Sequence, residues 1–257
     1  MIDHFEQPLH SAHPPVIHLI GDCTMADQCT RNDNPGRGWG QLLRGFFQPE
    51  APVLNHARDG RSSRSFVWEG HWQNVLASVH PGDWLVIQFG HNDQKIERPL
   101  VGTDPVGSYT DFLTRFVRDA DRRGVNPVFA TSIHRRRFEA NGELVDTLGD
   151  YPPAMRRLAV DFDVPLIDLH EQTGLLLQSL GPEASKELFR HIAPGKLDQC
   201  PAGRTDDTRL STAGARLVAG LFAESLRDYP LPLARWLRPK RTLPAAHRAM
   251  SCAGRQS

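Results

Sequence analysis

Cysteine is scarce in this sequence of 257 residues: its four, Cys23, Cys29, Cys200 and Cys252, are scattered and form no CxxC pair. That excludes a disulfide scaffold, and nothing at ligand spacing points to a metal site. Long hydrophobic runs are missing too. No stretch approaches the ~20 consecutive apolar residues that a membrane-spanning helix needs. The opening residues, Met1-Ile2-Asp3-His4-Phe5-Glu6-Gln7, have neither the basic region nor the apolar core of a signal peptide. A cytoplasmic protein of a reducing compartment is therefore expected, with no membrane partner. Charge of one sign is not in excess either: 30 Lys+Arg stand against 30 Asp+Glu, for a formal net charge of zero. That argues against a nucleic-acid binder. With 39% hydrophobic and 23% charged residues, the chain is apolar enough to build a core.

Short runs rich in Val, Ile and Leu alternate with longer segments of helical period. The runs lie at residues 15–20, 52–54, 84–89, 127–130 and 164–168, and most are nearly continuous in apolarity. Strands buried on both faces of a parallel sheet have this character. Helices are expected near 38–47, 65–79, 108–123, 151–162, 169–179 and 211–227, the last capped by Ser211. Such alternation predicts a three-layer α/β/α domain over residues 15–237. Residues 1–14 read as an N-terminal extension. The chain after Asp228 carries no Asp or Glu, and its basic stretch at 238–257 is expected to be a disordered tail.

In a parallel α/β sheet the functional crevice lies beyond the carboxyl ends of the strands. There the chain places Gly21-Asp22-Cys23-Thr24-Met25-Ala26, then Asn55-His56-Ala57-Arg58-Asp59-Gly60-Arg61-Ser62-Ser63, then Gly90-His91-Asn92-Asp93. A fourth block, Asp206-Asp207-Thr208-Arg209-Leu210-Ser211, opens the last helix. With the Gly38-Trp39-Gly40 element and His134-Arg135-Arg136-Arg137-Phe138, these blocks resemble the SGNH (GDSL) hydrolase superfamily in its rhamnogalacturonan acetylesterase-like branch. The similarity runs from about residue 15 to about residue 237. It implies a flavodoxin-like sandwich around a parallel sheet of about five strands. It also implies ester hydrolysis on O-acetyl groups of polysaccharide fragments, with no cofactor.

In the family the first block gives a nucleophilic serine. The backbone N–H of that residue, a glycine and an asparagine make the oxyanion hole, and Asp-x-x-His supplies the base and its orienting acid. Carried over residue by residue, the oxyanion hole falls on Cys23, Gly60 and Asn92, and the orienting acid on Asp206. Two positions depart: Cys23 stands at the nucleophile and Arg209 at the base. An arginine stays protonated and cannot take a proton from the nucleophile. The expected protein is thus a degenerate esterase, inactive or very weakly active, that binds acetylated or acidic oligosaccharide. Two alternatives stand beside it. Cys23, lowered in pKa by a following helix N-terminus or by Arg209, could act as a thiolate nucleophile with slow deacylation. Alternatively, the chain is a sugar- or protein-binding pseudoenzyme. A redox or metal-touching role for Cys23 ranks last. His91, Arg61 and Trp39 are the candidates for substrate contact, and none of the other histidines is expected to replace the missing base.

Overall fold

The computed structural model describes residues 14–30, 34–198 and 200–239. The N-terminal extension up to residue 13, the tail from 240 onward and Cys252 lie outside the described residues. Five strands form one all-parallel sheet in the order β2-β1-β3-β4-β5. They are β1 (Ile17–Gly21), β2 (Val53–Asn55), β3 (Trp84–Gln88), β4 (Asn126–Ala130) and β5 (Leu166–Ile167). Every residue of β1 and β3 is buried, which is why both read as unbroken apolar runs.

Alternate residues along each strand feed two cores. Ile17, Leu19, Trp84, Val86, Val128 and Ala130 face one layer. It is built from α1 (Trp39–Leu43), α6 (Leu169–Ala184) and α7 (Thr212–Asp228). Ile20, Leu85, Ile87 and Phe129 face the other. That side carries α2 (Ser63–Trp68), α3 (His71–Leu76), α4 (Ser108–Asp121) and α5 (Tyr151–Asp161). The three-layer arrangement matches the expectation from the alternation. The single helix expected over 65–79 is two short ones, because Gly70 sits at φ +81° and breaks the run. Ser211 does cap α7, accepting the Gly214 N–H.

The strand order reverses between β1 and β3, so the crevice opens beyond their carboxyl ends. The turn after β1 is held tightly from behind. A Cβ on Gly38 would stand 2.1 Å from the Ala26 carbonyl oxygen and 2.4 Å from that of Met25. One on Gly40 would meet Met25 Cγ and its carbonyl oxygen at 2.7 Å. The two glycines therefore let α1 lie directly against the backbone of the 22–26 turn. Trp39 between them is fully buried and donates from Nε1 to Gln88 Oε1 at 2.8 Å.

Gly38→Ala is expected to destabilise the fold by about 1–3 kcal/mol, since backbone carbonyls cannot rotate aside as side chains can. Gly220→Ala in the middle of α7, where the nearest atoms to the new Cβ lie 3.7 Å away on Phe46, is expected to stabilise by about 0.5–1 kcal/mol. Chemical denaturation of the two variants beside the wild type reads both signs.

Candidate active site

The first block forms a single turn. Met25 and Ala26 donate their N–H groups to the Asp22 carbonyl, and Thr24 donates both its N–H and its hydroxyl to Asp22 Oδ1. No helix follows directly, and α1 begins only at Trp39. The helix N-terminus expected to favour a Cys23 thiolate is therefore not there. Asp22 itself is fully buried. Burial opposes its charge, but the His91 ring at 3.2 Å and the two Thr24 donors outweigh that and hold the carboxyl below its ordinary range.

Cys23 is 7% exposed. Burial pushes its thiol up to about 12, with Asp22 and Asp59 adding to the rise, and the cations Arg209 and Lys95 only reduce it. The thiolate expectation is corrected accordingly: a neighbouring guanidinium cannot overcome desolvation together with an adjacent carboxylate. The described histidines around the site have other partners. His18 and His56 bond each other at 2.9 Å, with His18 also on Asp83. His71 faces Glu69, His91 faces Asp22 and His191 faces Asp207. Among the described residues, none of them hydrogen-bonds the Cys23 sulfur.

The second and third blocks are stitched together beside this turn. Gly60 lies at φ +78°, a left-handed conformation that suits glycine. Ser62 and Ser65 form a capping box at the start of α2. Ser63 donates its N–H and hydroxyl to Asp93, which also accepts from Thr103. Burial raises the Asp93 carboxyl to about 7, and those donors only moderate the rise. Asn92 donates from Nδ2 to the Arg61 carbonyl at 3.1 Å, while Lys95 Nζ donates to its Oδ1 at 2.6 Å. The lysine can only donate, so it fixes which end of the amide is oxygen. Gly60 and Asn92 thus belong to one braced unit.

The fourth block brings Arg209 to this place. Asp206 Oδ1 accepts the N–H groups of Thr208 and Arg209 at 3.1 and 2.9 Å, and Oδ2 accepts from Arg190 at 2.9 Å. Burial opposes the Asp206 charge, yet these donors and the two arginines hold its pKa below the ordinary value. The Arg209 guanidinium reaches across. Its Nη1 lies 3.4 Å from Asp206 Oδ2, and its Nη2 donates to both oxygens of Asp59 at 3.0 and 3.2 Å. Burial disfavours that charge, but Cys23, Asp59 and Asp206 raise its pKa above an ordinary arginine. The group is a fixed cation, held between an acid of the fourth block and one of the second. An open cleft of about 650 Å³ lies against it, lined by Asp59, Arg190 and residues 204–209.

Two of the three candidates for substrate contact turn out to be internal. Trp39 is in the core and offers no ring face to a ligand, and His91 is 2% exposed. His91 is held by Asp22 on one ring nitrogen, and its other nitrogen, Nε2, is buried without a partner. The corrected reading makes both structural supports of the turn, because each is bonded from behind the site. Arg61 is at the surface, with its side chain on Glu69 and its carbonyl under Asn92. Asp59 and Arg190 were not singled out from the sequence. Asp59 stands next to Gly60 and could have been suspected from that position alone. Arg190 belongs to no block, and only the fold brings it to Asp206.

With the geometry in view, the relatives can be compared. A model of the GDSL-like lipase/acylhydrolase family matches residues 19–217. Rhamnogalacturonan acetylesterase RhgT of Bacillus subtilis strain 168 is 44% identical over 220 residues, covering 86% of this chain and 93% of that protein. The probable rhamnogalacturonan acetylesterase YesY of the same strain is 33% identical over 218 residues, covering 84% and 94%. The crystal structure of Bacillus subtilis YxiM shares the fold with a TM-score of 0.71 at 24% identity, covering 84% of this chain and 56% of that one. The four blocks on one sheet edge and the family match over residues 19–217 agree, and this chain belongs to the GDSL-like lipase/acylhydrolase family.

Proposed function

We infer that this protein descends from carbohydrate O-acetylesterases, that it has lost ester hydrolysis or keeps only a trace of it, and that it binds acetylated or acidic oligosaccharide in the cleft beside Arg209. The carrying observation is the Arg209 guanidinium held between Asp206 and Asp59, together with the burial of Cys23. Ester cleavage needs a group that takes the nucleophile's proton, returns it to the leaving alcohol, and then activates water for deacylation. A guanidinium does none of these. An oxyanion pocket made of the Cys23 and Gly60 N–H groups and the Asn92 side chain would still polarise a bound acetyl carbonyl. Polarisation without a base and a strong nucleophile gives binding with little turnover.

The relatives named as rhamnogalacturonan acetylesterases supply the substrate class for this proposal. The cleft suits it. Its lining of acidic, basic and threonine side chains fits a hydroxyl-rich ligand and gives no bed for a fatty acyl chain. The alternative of Cys23 as a working nucleophile requires the thiolate that burial and Asp22 oppose. Cytoplasmic residence forms part of the proposal; a reducing compartment keeps Cys23, Cys29 and Cys200 as the free thiols seen here. No described helix is long and apolar enough to cross a membrane.

Two measurements test this reading. With p-nitrophenyl acetate and with acetylated pectic oligosaccharide, the wild type is expected to hydrolyse at or near the uncatalysed rate. Cys23→Ser with Arg209→His is expected to raise kcat/KM by about 100-fold or more, the usual worth of a positioned general base. Robust wild-type turnover that disappears in Cys23→Ala would overturn the proposal.

In the second, native protein is treated with iodoacetamide at pH 8. Exposed Cys29 is expected to label fully while Cys23 stays unmodified, and Cys23 labelling should begin only as the pH rises toward its pKa. Peptide mass spectrometry reads both sites. Rapid labelling of Cys23 at neutral pH would restore the thiolate reading.

A further inference from the structure

Away from the turn after β1, the chain brings together three side chains that the site described above does not use. His134 lies four residues beyond β4, Asp146 lies in the excursion between β4 and α5, and His170 is the second residue of α6. One nitrogen or oxygen from each lies within 4.8 Å of those of the other two. The two imidazoles stack with centroids 3.9 Å apart. His170 Nε2 stands 3.3 Å from Asp146 Oδ1, longer than a typical N–H···O hydrogen bond. It is also about the separation of two ligand atoms that each sit ~2.0–2.1 Å from one tetrahedral zinc ion.

Three observations besides the clustering point to a ligand. His134 is 8% exposed, and its Nδ1 is buried with no hydrogen-bond partner. Buried polar atoms are rarely left so, and a coordinate bond is one way to satisfy them. Room for the His134 ring is made by Gly174, where a Cβ would lie 2.9 Å from His134 Nε2. Finally, Asp146 is about half exposed, so the cluster opens to solvent on that side. The cation Arg156 is taken up by Asp168 at 2.6 and 3.2 Å.

We propose that His134, Asp146 and His170 form a binding site for one divalent transition-metal ion of the zinc class, with water completing the coordination. On binding, the imidazoles are neutral ligands and Asp146 contributes one carboxylate oxygen. Ligation through His170 Nε2 places that ring's one proton on Nδ1, and the contact with Asp146 is exchanged for a bond from each to the ion. The ion pins the two ends of the segment between β4 and α5. That segment carries Arg135, whose guanidinium donates to the His91 carbonyl, to Gln94 and to Thr147. The metal thereby fastens the support under the third block, and its role is structural.

The test is equilibrium dialysis of the untagged full chain against zinc chloride alone, followed by metal analysis. One zinc per chain is expected, with affinity reduced at least tenfold in both Asp146→Asn and His170→Gln. Zinc should raise the thermal midpoint of the wild type and leave that of Asp146→Asn unchanged. Cobalt(II) in place of zinc should give a visible spectrum free of thiolate charge-transfer bands, which separates this site from the cysteines. Failure to retain stoichiometric zinc, wild-type affinity in Asp146→Asn, or a thiolate band would each overturn the proposal. Asp146 is at the surface, so its variant decides the matter even if His170→Gln does not fold.

Discussion

The site rests on a carboxylate that has no access to water. Asp22 is fully buried, and its two oxygens bind two loops into one object: Oδ1 takes the Thr24 N–H and hydroxyl, and Oδ2 takes the His91 ring. The chain of contacts continues from the Thr24 hydroxyl to Gln88 Nε2 and from Gln88 Oε1 to Trp39. A buried charge is tolerable only when its lone pairs are occupied, so each of these partners is required where it stands. The same carboxylate sets the chemistry of its neighbour. A negative charge one residue away is what a thiol needs least if it is to ionise, and Arg209 on the open side cannot compensate.

Much of this architecture was legible in the chain. β1 and β3 are covered on both faces, so their sequences have no polar alternation to confuse them with surface strands. The four blocks were legible because a parallel sheet delivers its functional loops at one edge, whatever the chemistry there. Other features were not. Gly70 in a left-handed conformation divides what reads as one amphipathic helix. Trp39 sits between glycines next to a functional loop, and nothing local says that those glycines exist to bury it. The direction of the Cys23 pKa depends on burial and on the sum of charges from four loops. His134, Asp146 and His170 are separated by 12 and 24 positions, and no ligand spacing is visible until β4 and α6 are placed side by side.

Family membership and chemical competence are separate questions in this protein. The match over residues 19–217 concerns a scaffold, and the scaffold is intact. At the two positions to which the resemblance points, the chain carries the sulfur of Cys23 and the guanidinium of Arg209, which is held between Asp206 and Asp59. The Arg209 pairs with Asp59 and Asp206 are partly exposed, so their contribution to folding is small, about 0–1 kcal/mol for a pair of this kind. Their importance lies in where they hold the positive charge.

The turn after β1 has one more implication. The hydrogen bonds that shape it come from the side chains of Asp22 and Thr24, from the main chain and from Asn55, Gln88 and His91 around it, and among the described contacts the side chain at position 23 supplies none. Residue 23 is thus a guest in a socket built by its neighbours, and the hydrogen bonds that define the socket do not depend on which side chain sits there.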